Sequence, residues 1–253
     1  MELKVIFEDD SLLVIDKPAG LVVDKSETQK GETLEDWLTQ KYDSLVYHTK
    51  LDRMGIVHRL DKDTSGVIVV AKTRQSLENL QNQFKERKTK KEYLALVHGL
   101  VEKGGIVEGG IERNPLKREK FMVGEGGKEA VTEYSPEGKF QIPNNKFQII
   151  FNDFNKIQMR KLERMKYNEF SLLSCHPLTG RTHQIRVHLK YIGHPIVCDE
   201  KYVGRKMYRL DRRWCPRMFL HAKSLGFYHP GSKEWVEFES ELPEDLREVL
   251  ENG

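Results

Sequence analysis

The chain has no run of about 18 apolar residues, so no segment of it is suited to cross a membrane as a helix. Its opening, Met1-Glu2-Leu3-Lys4, lacks the basic and then apolar layout of a secretory signal. Cysteine is scarce. Cys175, Cys198 and Cys215 are odd in number, far apart and without a Cys-x-x-Cys pair, which argues against a disulfide framework and a zinc ribbon. Cys175 stands beside His176, but neighbours on a strand point apart, and the residue reads as a core cysteine rather than a nucleophile. There is no Gly-x-Ser-x-Gly elbow for a serine hydrolase. Gly124-Glu125-Gly126-Gly127-Lys128 lacks the spacing of a phosphate-binding P-loop, and no Gly-x-Gly-x-x-Gly follows a strand. Neither sign of charge dominates, since 42 Lys+Arg against 39 Asp+Glu leaves +3 over 253 residues. What remains is a soluble globular chain of a reducing, cytoplasmic compartment.

Hydrophobic residues make up 38%, enough for a sizeable core. Strands are expected at Lys4 to Glu8, from Leu12, at Gly66 to Ala71, Glu92 to Val97, Phe147 to Phe154, Phe170 to Ser174, Phe219 to Tyr228 and Trp235 to Glu239. Helices are expected after Thr33, from Ser76 to Arg87 with Leu77, Leu80 and Phe84 on one face, over Lys156 to Lys166, over Thr182 to Ile192, and from Pro243. Strands and helices mix without regular alternation, which favours an α+β fold over a doubly wound one. No internal repeat and no linker divides the chain.

Positive charge is segregated. Lys and Arg gather at Lys85 to Lys91, at Arg113 to Lys120, over Lys156 to Lys166, and over Arg205 to Arg217, where Tyr208 and Trp214 are interleaved. Carboxylates gather elsewhere, notably from Glu237 to Glu251. Such a layout suits a phosphate-binding face, with aromatics to stack on unpaired bases. Solvated helix faces would produce the same pattern run by run.

Two stretches concentrate titratable groups. In Gly55-Ile56-Val57-His58-Arg59-Leu60-Asp61-Lys62-Asp63-Thr64-Ser65-Gly66 a polar loop runs directly into a buried strand, a common home for catalytic groups. If the segment is extended, Asp61 and Asp63 share a face; His58 and Asp61 share one only if it curls. A plain turn capped by Asp63, Thr64 and Ser65 accounts for the same residues. In Pro177-Leu178-Thr179-Gly180-Arg181-Thr182-His183-Gln184-Ile185-Arg186-Val187-His188-Leu189, Thr182 is a candidate N-cap. His183, Arg186 and Lys190 would then form a basic stripe, with Ile185, Leu189 and Ile192 on the anchoring face. His183 and His188 stand at i and i+5, poor spacing for two metal ligands on one helix.

These blocks resemble the RluA-type pseudouridine synthases. The signature is His58-Arg59-Leu60-Asp61-Lys62-Asp63-Thr64-Ser65-Gly66. Asp16-Lys17-Pro18-Ala19-Gly20, Lys91 to Gly99, Thr179 to His188, Gly193-His194-Pro195-Ile196 and Leu220-His221-Ala222 fit in the expected order, so the resemblance covers about residues 5 to 240. It implies isomerisation of uridine to pseudouridine in structured RNA, rRNA or tRNA, without metal or organic cofactor. It implies an α+β catalytic domain with a mixed, mainly antiparallel sheet, flanking helices and a central cleft between the Asp61 loop and the Arg186 helix. Motif for motif, Asp61 becomes the catalytic aspartate, Tyr93 the active-site tyrosine, and Arg186 the arginine that pairs with the aspartate. Arg59 becomes the residue that enters the base stack when the uridine flips out. His58, Arg181, His183, Arg212 and Arg213 are the further RNA contacts expected.

The chain departs from the family pattern in three places. The catalytic pattern begins almost at Met1, so residues 1–253 are expected to form one monomeric catalytic domain without a separate N-terminal RNA-binding module. Residues 135–168 and 205–217 read as insertions and as candidates for substrate selection. His176 stands where a longer basic residue is expected. Two other functions remain open at this stage. One is a non-catalytic RNA-binding or assembly factor on the same fold, although a carboxylate facing phosphates is superfluous for binding alone. The other is a glycosidase using Asp61 and Asp63 as a pair, which the basic runs disfavour.

Overall fold

The computed structural model describes residues 2–25, 31–42 and 52–251. In chain order the strands are β1 (Lys4–Glu8), β2 (Leu12–Lys17), β3 (Ser65–Ala71), β4 (Lys90–His98), β5 (Gly105–Glu108), β6 (Ile111–Arg113), β7 (Phe121–Val123), β8 (Val131–Phe140), β9 (Phe170–Pro177), β10 (Leu220–Tyr228) and β11 (Trp235–Glu239). The helices are α1 (Leu34–Lys41), α2 (Arg74–Lys85), α3 (Asn144–Ile150), α4 (Lys156–Arg164), α5 (Gln184–Tyr191), α6 (Arg205–Asp211) and α7 (Glu244–Glu251). The chain divides into two compact units, Met1–Glu92 with His221–Glu241, and Tyr93–Leu220 with Leu242–Gly253. Among the described residues no helix is long and apolar enough to cross a membrane.

In the first unit β1, β2 and β3 pair antiparallel in sequence order. β10 joins β3 in parallel, and β11 pairs antiparallel with β10. Every residue of β3 is buried, as its unbroken apolar run predicts for a strand covered on both faces. Val67 and Val69 pack with Leu77 and Leu80 of α2 and with Leu225 and Phe227 of β10. Each such side chain taken from water stabilises the unit by roughly 1.5–3 kcal/mol. Thr33 caps α1 through a reciprocal box with Asp36, as its place before an acidic first turn predicts. Thr73 caps α2.

The second unit is built on β4, β9, β8 and β5, all antiparallel, with β6 and β7 as a separate hairpin. Leu96, Leu173, Phe170, Phe219 and Tyr167 lie in its core. β8 is not among the strands expected from the sequence, and Pro136 lies inside it. The register shifts between Pro136 and Gly138, and that bulge is what lets proline sit inside the strand. The expected strand at Phe147 to Phe154 is corrected. Residues Asn144–Ile150 are helical, and Phe147 and Phe151 meet at i and i+4 with tilted rings whose centroids lie 4.7 Å apart. The basic helix expected after Lys156 and the acidic helix after Pro243 are both present. The α+β class, with mainly antiparallel pairing, stands in both units.

Candidate active site

The His58–Gly66 segment curls; it is not extended. The Thr64 N–H donates to the Asp61 carbonyl at 3.1 Å, so Asp61 opens a β-turn with Lys62 and Asp63 at its centre. That overturns a shared strand face for Asp61 and Asp63, and with it the geometric basis of a glycosidase pair. Asp61 is half-buried, whereas Lys62 and Asp63 are exposed.

Three braces hold the turn. The Lys17 side chain is fully buried, and its ammonium donates to the carbonyls of Pro18, Leu21 and Lys62 at 2.8, 2.9 and 3.2 Å. A buried ammonium is tolerable because it has such acceptors. The Gly20 N–H, on backbone at φ +86°, donates to the same Lys62 carbonyl. Gly66 closes the segment at φ +118°, where a Cβ would lie 2.1 Å from the Ala222 carbonyl oxygen of β10. No other residue fits that approach. Beside it the Ser65 hydroxyl lies 3.0 Å from His221 Nδ1, and His221 Nε2 lies 2.9 Å from the Ser240 carbonyl. A carbonyl only accepts, so Nε2 carries the proton and Ser65 donates to Nδ1. The Ser240 hydroxyl donates in turn to Asp16.

The second unit holds Arg186 just as firmly. Its Nε and Nη2 donate to the Asp199 carboxylate at 2.7 and 2.9 Å, both side chains are buried, and the guanidinium lies over the Tyr202 ring at 5.1 Å. Asp199 also accepts the N–H groups of Lys201 and Tyr202. Arg186 is therefore not part of an exposed basic stripe; of the three expected there, only Lys190 is exposed. The helix also starts later than Thr182. His183 precedes it in left-handed backbone and contributes no side-chain cap. Gln184 supplies the order instead. Its oxygen accepts from the Thr179 hydroxyl and the Arg181 N–H, and its amide donates to the Val131 carbonyl and the Thr132 hydroxyl. Tyr93 is half-buried on β4, opposite Cys175 of β9. Burial pushes the Cys175 thiol up to about 12, as befits a core cysteine.

The candidate RNA contacts differ in how free they are. Arg59 is exposed and bonds Asp24 at 3.0 Å, a surface pair easily exchanged for another anion. His58 braces the loop from within: its Nε2 accepts the Val69 N–H at 3.1 Å and its ring stacks on Phe84. Arg181 is exposed and reaches the Glu129 carbonyl. His183 Nδ1 lies 2.8 Å from the Tyr202 hydroxyl, which accepts the Phe121 N–H. His188 is buried between Thr132 and Gly109, so the two histidines turn to different partners. Arg213 is bound by Asp153 through both nitrogens of its fork and lies over Phe151 and Phe154. Arg212 is exposed, with no side-chain partner among the described residues. Among those residues, no group of three His, Cys, Asp or Glu is placed to hold a metal.

Lys17, Gln184, Asp199, Tyr202 and His221 were not singled out from the sequence as site residues. Asp199 carries the clearest signal, a carboxylate directly after the apolar run Ile196-Val197-Cys198, where only a paired acid can be buried.

The braced Asp61 turn belongs to the first unit, and the buried Arg186, paired with Asp199, belongs to the second, both on an α+β scaffold. The family model for RNA pseudouridylate synthases matches residues 11–191. An uncharacterized RNA pseudouridine synthase of Aquifex aeolicus is 39% identical over 259 residues, covering 98% of this chain and 72% of that protein. The ribosomal large subunit pseudouridine synthase D of Nitrosomonas europaea is 40% identical over 258 residues, covering 98% of this chain and 64% of that one. Among solved structures, human RNA pseudouridylate synthase domain containing 1 superposes with a TM-score of 0.69 at 26% identity, covering 96% of this chain and 84% of that one. The chain belongs to the RNA pseudouridine synthase family, and its activity is that of an isomerase.

Proposed function

We propose that this chain converts uridine to pseudouridine in structured ribosomal RNA, with Asp61 as the catalytic carboxylate. The ribosomal target is drawn from the names of relatives such as those of Nitrosomonas europaea and Pseudomonas aeruginosa. The observation that carries the reading is the Asp61 turn, which Lys17, Gly20 and Gly66 hold from three sides. A carboxylate so positioned loses little freedom when it meets a ribose.

In the reaction the bond from ribose C1′ to uracil N1 breaks, the uracil turns, C5 bonds to C1′ and loses its hydrogen as a proton to solvent, and N1 takes up a proton. The Asp61 carboxylate serves as the anion that meets the ribose as the first bond breaks. Tyr93 stacks on the freed uracil and lies in reach of the C5 proton. Arg186, its plane fixed by Asp199, supplies positive charge. Arg59 releases Asp24 and fills the gap left by the flipped base, offsetting part of the few kcal/mol that flipping costs.

The test is tritium release from large-subunit ribosomal RNA transcribed with 5-tritiated uridine. Wild type should release tritium. Asp61→Asn should release none above background while binding the same RNA within about twofold. Turnover by Asp61→Asn would remove the carboxylate from the mechanism.

A further inference from the structure

Among the described residues, two buried side-chain atoms make no hydrogen bond, Thr64 Oγ1 and His229 Nε2. His229 Nε2 nevertheless lies 3.0 Å from an Asp9 carboxylate oxygen. The Thr64 hydroxyl meets no donor or acceptor, although the residue is only 2% exposed. A buried hydroxyl in that state has given up water and gained nothing in exchange, which disfavours the fold. The groups around it in the first unit are engaged. The Asp61 carbonyl takes the Thr64 N–H, the Lys62 carbonyl takes Lys17 and Gly20, and the Ser65 hydroxyl donates to His221.

Threonine is β-branched and stiff at χ1, so the hydroxyl stays where it is and a partner has to come to it. The atom is shut off from solvent, which favours a partner from the turn itself over one from the RNA. The carbonyls of Asp61 and Lys62 are taken, and Asp63 is exposed. The Asp61 carboxylate is the acceptor that fits. Asp61 and Thr64 are the first and fourth residues of one hydrogen-bonded turn, so their Cα atoms lie within about 7 Å. Rotation about the Asp61 side-chain torsions spans such a gap. A carboxylate offers about four acceptor sites, so it can take this donor besides the contacts it already makes.

We propose that Thr64 is a positioning residue for Asp61: in the reacting complex its hydroxyl donates to one carboxylate oxygen of Asp61 and leaves the other to face the ribose. At rest the hydroxyl has no partner, so the bond is made only on the way to the transition state. An interaction of that kind raises kcat and leaves substrate binding unchanged. The unmet hydroxyl is what the resting fold carries for it. The proposal rests on the reading of Asp61 as the catalytic carboxylate and adds the group that aims it.

The test compares Thr64→Val, which keeps the shape and removes the hydroxyl, with Thr64→Ser, which keeps the hydroxyl and removes the methyl. The full chain is used, and both variants are read by melting temperature and by tritium release from the same ribosomal transcript. Thr64→Val should melt at or above the wild-type temperature, because no bond is lost. Thr132→Val is the matched control for stability. The Thr132 hydroxyl is fully buried and meets Gln184 and His188, each at 3.0 Å, so its removal should lower the melting temperature by about 3 °C or more. Thr64→Val should nonetheless lose about tenfold or more in kcat, with KM within about twofold of wild type. Thr64→Ser should recover most of kcat even where the missing methyl lowers its melting temperature. A hydroxyl with a purely structural role would move stability and leave kcat per folded molecule alone. Wild-type kcat in Thr64→Val, or a melting temperature that falls as far as the control's, overturns the proposal. An active Thr64→Val beside an inactive Asp61→Asn removes Thr64 alone. Turnover by Asp61→Asn removes the carboxylate reading, and this proposal with it.

Discussion

His58 accepts the Val69 N–H through Nε2 and stacks on Phe84, so its ring is a brace between the His58–Gly66 loop and β3. Burial, helped by the nearby positive charge of Lys91, lowers its pKa to about 3 from the ordinary 6.5. In the unfolded chain the ring protonates near pH 6.5; in the fold it stays neutral until about pH 3. Between those values the unfolded state binds more protons, so this residue's contribution is complete above pH 6.5 and is lost as pH falls toward 3. The loss approaches about 1.4 kcal/mol per pH unit. Denaturant midpoints of wild type should therefore fall between pH 6 and pH 4 more steeply than those of His58→Gln. Parallel curves would show that the ring titrates in the fold as it does in water. The string around His58 was legible as a loop of chemical interest, and Asp61, Arg59 and Gly66 could be named from it. The inward turn of His58 could not, because its partners Val69 and Phe84 are brought to it only by β3 and α2. Asp199 was hidden for the same reason: its carboxylate has meaning only once Arg186, thirteen residues earlier, is folded over it.

At the scale of elements, α5 depends on one amide. Gln184 makes four hydrogen bonds that join the Thr179–Arg181 loop, the end of β8 and the first turn of the helix that carries Arg186. Gln184→Glu keeps the shape but cannot donate, so it faces the Val131 carbonyl with a like dipole and leaves that acceptor unmade. It should lower stability by about 1–3 kcal/mol. Tritium release should fall as well, through a less ordered Arg186, and Gln184→Ala should share the activity loss. A stable Gln184→Glu with wild-type turnover would show that the helix start is set elsewhere. The sequence marked this helix by its apolar face but put its start at Thr182, because a Ser or Thr before a periodic run is the usual cap. A glutamine reaching back to a distant strand leaves no local pattern. At α3, β-rich composition over Phe147 to Phe154 outweighed the i, i+4 spacing of Phe147 and Phe151. That spacing decides the structure, because both rings pack against Tyr167.

For the whole molecule, a net charge of +3 is the small difference between 42 cations and 39 anions, and it says little about RNA. Many cations belong to the fold: Arg186, Arg213, Arg217 and Lys223 each hold a carboxylate. Among the described residues, exposed cations without an ion pair are frequent on α4 and α6, together with Arg212. Binding should follow that local set and not the net charge. Each phosphate neutralised releases counterion worth a slope of about −0.7 to −0.9 in log affinity against log salt. If four or more of these cations meet phosphates, the slope for ribosomal RNA should be about −3 or steeper. Arg209→Glu combined with Arg212→Glu should flatten it by about 1.5. Arg213→Ala should behave differently, since its guanidinium ties residues 150–154 to residues 212–216. It should lower the melting temperature and alter the slope less than the double variant does. A wild-type slope near zero would mean that the basic surface is merely solvated and that recognition rests on other parts of the chain. A steep slope lost in the double variant would place residues 205–217 on the RNA.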